Sequence, residues 1–316
     1  MSSVVLNINT KFRNNYDNTE STDFIYNLPY QLKNVISMEY LTSEFSNAPY
    51  TINNKLGTNN FVIVDKQNSN TRHTIVLQEG NYPGAELAKE INRKIDLAID
   101  SNILQTYDAN NKIVVSFDTN KKKFNFDLSL ASGSNPDNFK FDLDFTLKSL
   151  NGEGAKYCSG FKTIDEKQLS LGWIMGFRKT TYSYDDDFKS TEDMNYGKYL
   201  KGYTTEGVYD RNRSRYFVLL VNDFNNSHKN TLISSYQKDT MSDNNILTKF
   251  KYFVDPDFHL VDSDTTVEIK REYSGKVDIN RLQIRLLDEF GRIVDLDNMD
   301  YSLSLKFEIA QNEKKN

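Results

Sequence analysis

The strongest constraint on the fold is the alternation of apolar and polar residues near the end of the chain. In 301–309, YSLSLKFEI, every second residue is apolar, and 281–287, RLQIRLL, begins in the same way. Successive side chains of a β-strand point to opposite faces, so this period of two predicts strands with one buried face. The turn sequences DEFG and DNMD separate them from a short RIVDL segment, and Gly291 can adopt a positive φ. We therefore predict a three-stranded meander in 281–309.

Similar patterns along the chain predict about a dozen strands in total. The other strand-like segments are 23–29, 34–45, 61–64, 73–78, 112–117, 124–130, 139–147, 215–224, 246–254 and 265–273. The polar turn DKQNSN between 61–64 and 73–78 predicts a hairpin. We expect Pro29 to end the first of these strands, because proline cannot donate a hydrogen bond to a neighbouring strand.

One segment has the period of a helix instead. Apolar residues recur on one helical face at Leu87, Ala88, Ile91, Ile95, Ala98 and Ile99. Asn81 and Pro83 precede this face and are suited to the start of a helix. The sequence predicts one amphipathic helix, about 84–100, packed on a sheet. The fold class that follows is mainly β, an antiparallel β-sandwich of jelly-roll-like type.

Two segments have less regular patterns. The apolar stretch 169–177, LSLGWIMGF, predicts a short helix or a buried turn with Trp173 in the core. The stretch 178–210 is rich in tyrosine, glycine and acidic residues, and we interpret it as a long loop. Loops of that length are uncommon in compact domains unless they have a role, so it is a candidate contact arm.

The glycine-rich stretch 151–160, NGEGAKYCSG, suggests a boundary between two lobes. An N-terminal β-rich lobe, 1–160, would contain the helix, and a C-terminal jelly-roll-like sandwich would comprise 161–316. In the alternative, 61–177 is inserted into a single sandwich made by both chain ends. The sequence does not decide between them, because it does not tell which strands pair.

Composition limits the classes of function. The chain has 316 residues, 38% hydrophobic and 26% charged, as expected of a soluble globular protein. Its net charge of −5 lacks the basic footprint of a nucleic-acid binder, so we expect no direct contact with nucleic acid. We expect neither a membrane span nor a secretory signal, since apolar runs such as 216–221 are short. Cys158 is the only cysteine, which excludes an internal disulfide.

The residues that most often carry chemistry are scattered. His73, His228 and His259 have neither mutual spacing nor a nearby cysteine that suggests zinc, so we expect solvated or hydrogen-bonded side chains. Cys158 has no catalytic signature around it and is expected to be a packed or half-exposed thiol. The glycines of 152–160 lack the spacing of a phosphate-binding loop.

Charged clusters also have simple structural explanations. Acidic residues gather in 185–187 and 295–300, but the second cluster fails the calcium-loop pattern and is suited to a turn. Arg211, Arg213 and Arg215 would share one face of a strand, either for an anionic partner or as a solvated edge. The 44 Asp and Glu residues single out no hydrolytic pair. We predict no catalytic, cofactor-binding or metal-binding residues.

Several blocks occur in an order that resembles a known family. They are 10–53 with its DFIYNLP and KNVIS sequences, 79–92 (EGNYPGAELAKEIN), 171–179 (LGWIMGFRK), 204–210 (TTEGVYD), 215–224 (RYFVLLVNDF) and 271–309. This ordered set resembles the minor capsid proteins of nucleocytoplasmic large DNA viruses. The chain departs from the family pattern at EFSNAPY, where the family usually has proline before asparagine.

The resemblance implies a structural protein of a giant-virus virion, a minor capsid or penton protein built from β-sandwich parts. It implies contacts with the major capsid protein and other minor capsid proteins, and a homo-oligomer, a pentamer if the protein caps a vertex. It implies assembly in the host cytoplasm and a place in the capsid, with no catalytic residues.

Two other functions are compatible with a β-sandwich. The first is a host-attachment or glycan-binding module on the virion, because the same fold serves both roles. The single tryptophan lies in an apolar stretch, which argues against an exposed aromatic platform for such a module. The second is a hydrolase, and only the abundance of carboxylates supports this function.

Overall fold

The computed structural model describes the chain in segments that leave out several stretches. The described residues are 2–46, 49–146, 166–192, 199–211, 216–225, 227, 233–236, 239–242, 245–251, 253–254, 260–262, 265–267 and 270–311. The chain divides into two compact units. The first unit comprises Met1–Pro49, Lys156–Ile164 and Ser214–Asn316, and the second comprises Tyr50–Ala155 and Asp165–Arg213.

These limits differ from the predicted lobes. The first unit draws residues from both sides of the expected boundary near residue 160, because strands from both chain ends pair in one sheet. The second unit is made of one stretch of chain interrupted at 156–164. Its limits also differ from 61–177, the inserted segment of the alternative.

The described chain contains nineteen strands and three α-helices. The strands in the first half are β1 (Ser2–Asn9), β2 (Asp23–Phe45), β3 (Asn60–Asp65), β4 (Thr71–Val76), β5 (Lys112–Asp118), β6 (Lys123–Ser129) and β7 (Phe141–Asp144). The next are β8 (Thr181–Tyr182), β9 (Lys189–Glu192), β10 (Tyr199–Thr204), β11 (Tyr216–Asn222), β12 (Ile233–Tyr236), β13 (Asp239–Ser242) and β14 (Ile246–Lys251). The last are β15 (Phe253–Val254), β16 (Leu260–Asp262), β17 (Thr265–Val267), β18 (Arg271–Leu287) and β19 (Tyr301–Ile309). The helices are α1 (Gly84–Asp100), α2 (Leu171–Met175) and α3 (Tyr184–Asp187).

The first unit is organised around a seven-stranded sheet with the order β1-β19-β2-β18-β11-β14-β17. Every paired strand is antiparallel. Strands from the start and the end of the chain alternate across it, which is the jelly-roll-like winding that was predicted. β1 was not predicted, although Val4, Leu6 and Ile8 carry the same alternation as the other strands. The mainly β, antiparallel fold class is confirmed.

The predicted meander at 281–309 is wrong in its pairing. β2 lies between β18 and β19, so the two alternating segments are not neighbours. The expected middle strand is reduced to a single bridge between Leu287 and Ile293. The turns are as predicted, with positive φ at Gly291, Asp297 and Asn298. Alternation fixes which face of a strand is buried but does not select its neighbours.

β2 continues through Pro29 instead of ending there, contrary to the prediction. The β2–β18 register shifts between the pairs Asn27–Arg281 and Leu32–Ile279, and Pro29 lies within that irregular stretch. A missing N–H is tolerated at a bulge because the ladder of hydrogen bonds is already interrupted there.

The bulges in β2 let the seven-stranded sheet curl onto itself. Phe45 of β2 and Phe217 of β11 have ring centroids 5.9 Å apart, although β18 separates the two strands in the sheet. The enclosed core includes Ile8, Phe24, Val35, Met38, Phe217, Leu219, Val221, Leu282, Ile284, Leu286, Leu303, Leu305 and Phe307. One sheet thus supplies both walls of a sandwich.

The second unit is built from two four-stranded sheets, ordered β4-β3-β7-β8 and β5-β6-β10-β9. Their apolar faces share one core, in which the rings of Phe61 and Phe126 meet edge to face with centroids 5.8 Å apart. The hydroxyl of Tyr203 on β10 donates to the carbonyl of Phe141 on β7 at 2.6 Å. The predicted hairpin is present as β3 and β4 in continuous register.

α1 confirms the predicted helix and its packing on a sheet. Leu87, Ala88, Ile91, Ile95 and Ala98 are buried in the core of the second unit. The Asn92 side chain donates to the carbonyl of Val115 on β5 and accepts from its N–H, both at 2.7 Å. Among the described residues, no helix is both long and apolar enough to cross a membrane.

The interpretation of 178–210 as a long loop is wrong for its described part, and its role as a contact arm stays a prediction. This stretch contains β8, α3, β9 and β10, and the side chains of Tyr182, Tyr184 and Tyr203 are buried in the core. Gly202 on β10 has no space for a side chain, since a Cβ there would lie 2.0 Å from Asp127 Oδ1. Tyr182, Tyr184 and Tyr203 are therefore core residues of short elements. Residues 193–198 lie outside the described residues.

The predicted short helix in 169–177 is α2, but Trp173 is not in the core. The Trp173 side chain is partly exposed and is covered by the Arg178 guanidinium, 4.3 Å from the ring centroid. The predicted strand at 139–147 is present only as the shorter β7, which follows a 3-10 turn at Pro136–Phe139.

We expect Phe61→Ala to destabilise the protein by about 3–5 kcal/mol, because it removes a large side chain at the contact between the two sheets. The exposed Val76 on the neighbouring strand is a matched control, and Val76→Ala should cost about 0.5 kcal/mol. Chemical denaturation followed by circular dichroism measures both. Equal losses for the two variants would contradict this description of the core.

Candidate functional site

The histidines and the cysteine do not form a site in the described chain. His73 lies on β4, buried on the same side as Ile75, and its Nε2 has no hydrogen-bond partner. The prediction of a solvated or hydrogen-bonded side chain is therefore wrong for this nitrogen. His228, His259, Cys158 and the glycine-rich 151–160 lie outside the described residues.

The acidic clusters serve local structure. Within the part of the chain that the structure describes, no three His, Cys, Asp or Glu side chains are placed to hold a metal ion. Asp187 accepts a hydrogen bond from Lys179 Nζ at 2.5 Å and another from the Ser183 N–H. Asp295 accepts from the N–H of Asp297 at 3.1 Å, as in a turn.

The arginine triplet is only partly described. Arg211 lies in a turn and not on a strand, and its carbonyl accepts a hydrogen bond from Thr51 Oγ1 at 2.6 Å. Arg213 and Arg215 lie outside the described residues, so their predicted shared face stays a prediction.

A fully buried ion pair stabilises the first unit at the junction of three strands. Arg271 of β18 donates to the carbonyls of Val221 at 2.7 Å and Asn245 at 2.8 Å, and lies 3.3 Å from Asp223 Oδ2. The Tyr273 hydroxyl also donates to Asp223. Burial and the adjacent Asp223 carboxylate raise the pKa of Tyr273, so its hydroxyl stays a donor. Arg271 therefore fixes β18, the end of β11 and the start of β14 together.

Two more buried arginines, Arg13 and Arg292, stabilise the segment after β1 and the turn after β18. Arg13 is nearly buried and donates to Asp300 Oδ1 at 2.8 Å and to the carbonyls of Thr10 and Thr19, at 2.9 Å each. Its guanidinium also stacks 3.8 Å from the ring centroid of Tyr16. These contacts hold the segment after β1 against the turn before β19.

The second of these arginines shapes the turn after β18. Arg292 is 1% exposed, and its Nε donates to Asp288 Oδ2 at 2.8 Å. Asp288 Oδ1 accepts the N–H groups of Phe290 and Arg292, both at 2.9 Å. The buried pair is thus local to the DEFGR turn and fixes its shape.

A polar groove with a volume of about 370 Å³ lies on the outer side of β3, β4, β7 and β8 in the second unit. Its walls carry two ion pairs, Lys66 with Asp142 at 3.5 Å and Arg72 with Asp144. Burial alone would raise the pKa of Asp144, but hydrogen bonds from Thr146 and the Arg72 pair hold it below its usual value. Each carboxylate is already paired with a cation, so none of them is poised for acid–base chemistry.

Asp127 of β6 differs from the other carboxylates. The described residues offer it no cation, and burial raises its pKa to about 6. Its Oδ1 lies beside Gly202 of the neighbouring β10, where a side chain would collide with it. No sequence signal marks Asp127, because its desolvation depends on the approach of the β10 backbone.

The surface of the first unit carries several exposed apolar side chains. They are Val5, Phe12, Tyr16, Ile25, Tyr30, Leu41 and Phe224. Phe12 is held outward by the segment that Arg13 fixes, and Phe224 lies under the Arg281 guanidinium at 4.2 Å. Rigid exposed aromatic and arginine side chains are the kind that anchor protein–protein contacts.

The comparisons with known proteins find similarity in structure alone. No protein-family model matches the sequence, and no curated protein matches it. The crystal structure of the mavirus penton protein aligns with 98% of this chain and 99% of that one, at 12% identity and a TM-score of 0.44. A chain of the Sputnik virophage structure determined by cryo-EM aligns over 97% and 98%, at 15% identity and a TM-score of 0.37.

We expect Arg271→Met to destabilise the protein by about 3–5 kcal/mol, because it leaves the buried Asp223 carboxylate without its cation. Lys89→Met removes the exposed Glu86–Lys89 pair and is the control, with an expected change below about 0.5 kcal/mol. Urea unfolding at neutral pH measures both. A small loss in both variants would show that Arg271 does not stabilise the strand junction.

We expect Asp127→Asn to stabilise the protein above pH 6, by about 1 kcal/mol after allowance for solvent screening. The pKa of Asp127 is raised from 3.8 to about 6, so its contribution to stability is present below pH 4 and is lost as pH rises through 6. Thermal unfolding from pH 3.5 to 8 should show the two proteins diverging only above pH 4.

Asp108→Asn is the control for this pH dependence. Backbone and side-chain hydrogen bonds from Asn110 and Asn111 lower the pKa of Asp108, so its contribution has the opposite sign. The Asp108→Asn variant should be less stable than the wild type at neutral pH and equally stable in acid. A parallel pH profile for both variants would disprove the assignment of Asp127.

Proposed function

We propose that the chain is a structural component of a large DNA virus capsid, a minor capsid or penton protein that acts through protein–protein contacts. The observation that carries this proposal is that the buried charges of the first unit are paired with one another. Arg13, Arg271 and Arg292 are each nearly buried, and each is paired with an aspartate within the first unit. They stabilise strand junctions and turns, which a rigid building block requires and a catalytic site does not.

The outer surface of the first unit also supports a role in contacts. Its sheet exposes apolar side chains such as Val5, Ile25 and Leu41 instead of covering them with helices. Around them lie polar pairs, including Lys306–Glu39 at 3.2 Å and Lys270–Glu308 at 2.6 Å. Apolar anchors within a polar surround are typical of protein interfaces.

The ordered resemblance of blocks across 10–309 gives the proposal its specific form. It suggests the major capsid protein and other minor capsid proteins as partners, and a homo-oligomer, a pentamer at a vertex. We propose the virion capsid as the location, with assembly in the host cytoplasm and no enzymatic activity.

We expect light scattering behind a sizing column to give a mass five times that of the chain, 36.6 kDa, if the protein is a penton. Tyr182, Tyr184 and Tyr203 of the stretch 178–210 should not form the subunit contact, since their side chains are buried in the core. A monomer at every concentration would contradict the penton form and would favour the host-attachment or glycan-binding alternative, which a glycan array then tests.

A further inference from the structure

We propose that β1 is a docking edge at which two copies of this chain pair as antiparallel strands about a two-fold axis. β1 forms one edge of the seven-stranded sheet and pairs on its inner side with β19 through eight consecutive residues. Among the described residues, no strand pairs with its outer side. Its free N–H and C=O groups form a template for another strand.

The composition of β1 is unusual for an exposed edge. Its sequence SSVVLNIN contains no charged residue, proline or glycine, and its register with β19 has no bulge. Natural edge strands are protected from association by charges, prolines, bulges or short length. β1 has none of these protections, so it is suited to being covered by another strand.

The other edge strands of the described chain carry charged residues or have at most four residues. β4 carries Arg72, and β5 carries Lys112 and Asp118. The remaining edge strands have two to four residues each: β8, β9, β12, β13, β15, β16 and β17. The contrast within one protein indicates that the uncharged edge of β1 is a specific feature and not a general property of the chain.

A second copy of β1 is the partner that fits this edge. With Val5 opposite Val5 of the partner subunit, Val4 faces the partner's Leu6 and Ser3 faces the partner's Asn7. Val4 and Leu6 pack partly against the core, and Val5 is 58% exposed on the opposite face. The facing residues carry no charge and do not repel each other, and Val4, Val5 and Leu6 each meet an apolar side chain.

The small size of the contact sets its strength. A contact along the eight residues of one strand buries less surface area than the interface of a standard stable dimer, which buries about 1,200–2,000 Å². We therefore expect a weak two-fold contact at high protein concentration, between two single chains or, if the protein is a penton, between two pentamers. Several such contacts in an assembly would reinforce one another through effective concentration. The pairing does not depend on the proposed capsid role.

The test is disulfide trapping across the two-fold axis. In a Cys158→Ser background, Val5→Cys places two thiols opposite each other, and mild oxidation should give a reducible dimer. Leu97→Cys in the same background is the matched control, because Leu97 is 47% exposed but lies on the helix α1 and not on a strand. Trapping of Val5→Cys no faster than Leu97→Cys would overturn the proposal.

A charge variant supplies an independent measurement. Val5→Lys places two ammonium groups together at the axis and should weaken self-association at least about tenfold by sedimentation velocity. Val5→Thr keeps a β-branched, uncharged residue and should associate like the wild type. Both should retain the wild-type circular dichroism spectrum, because Val5 is exposed. Equal association of the lysine variant and the wild type would contradict the β1 pairing.

Discussion

The pairing of β2 with β18 and β19 is the constraint on which the rest of the structure depends. β2 pairs with β18 from Asp23 to Met38 and with β19 from Val35 to Phe45. Both partners come from the far end of the chain. The sheet can therefore close only when β2 meets strands that are separated from it by most of the sequence. Closing such long loops costs entropy, and the apolar surface that the sheet buries offsets it.

This constraint explains why the second unit forms its own core. The chain leaves the first unit after β2 and returns to it with β11, and most of the intervening chain folds into two facing sheets with α1. The aromatic residues are concentrated where those sheets meet, with Phe61, Phe126 and Tyr203 in edge-to-face contacts. Aromatic pairs of this geometry add to the stability that area burial supplies.

The buried charges of the first unit follow from the same long-range pairing. Asp223 follows β11, whereas Arg271 and Tyr273 lie at the start of β18, so these side chains meet only in the folded first unit. Such a pair contributes little net stability compared with a well-packed apolar core, but it penalises every arrangement in which one partner is buried alone. The pair therefore favours the one strand order in which all its hydrogen-bond partners are present.

The sequence by itself determined the periodic elements: the α1 helix, the β3–β4 hairpin, the apolar faces of β18 and β19, and the turns at Gly291 and Asp297. Each of these depends on local spacing and on backbone conformation, which neighbouring residues dictate. The sequence did not reveal that β2 separates β18 from β19, that Tyr182 and Tyr203 are core residues, or that Asp127 is desolvated. Only the tertiary structure decided these, because strand neighbours and burial depend on contacts between residues far apart in the chain. The edge of β1 depends on both. Its uncharged composition is a property of the local sequence, whereas its position at the edge of a sheet is set by the tertiary structure.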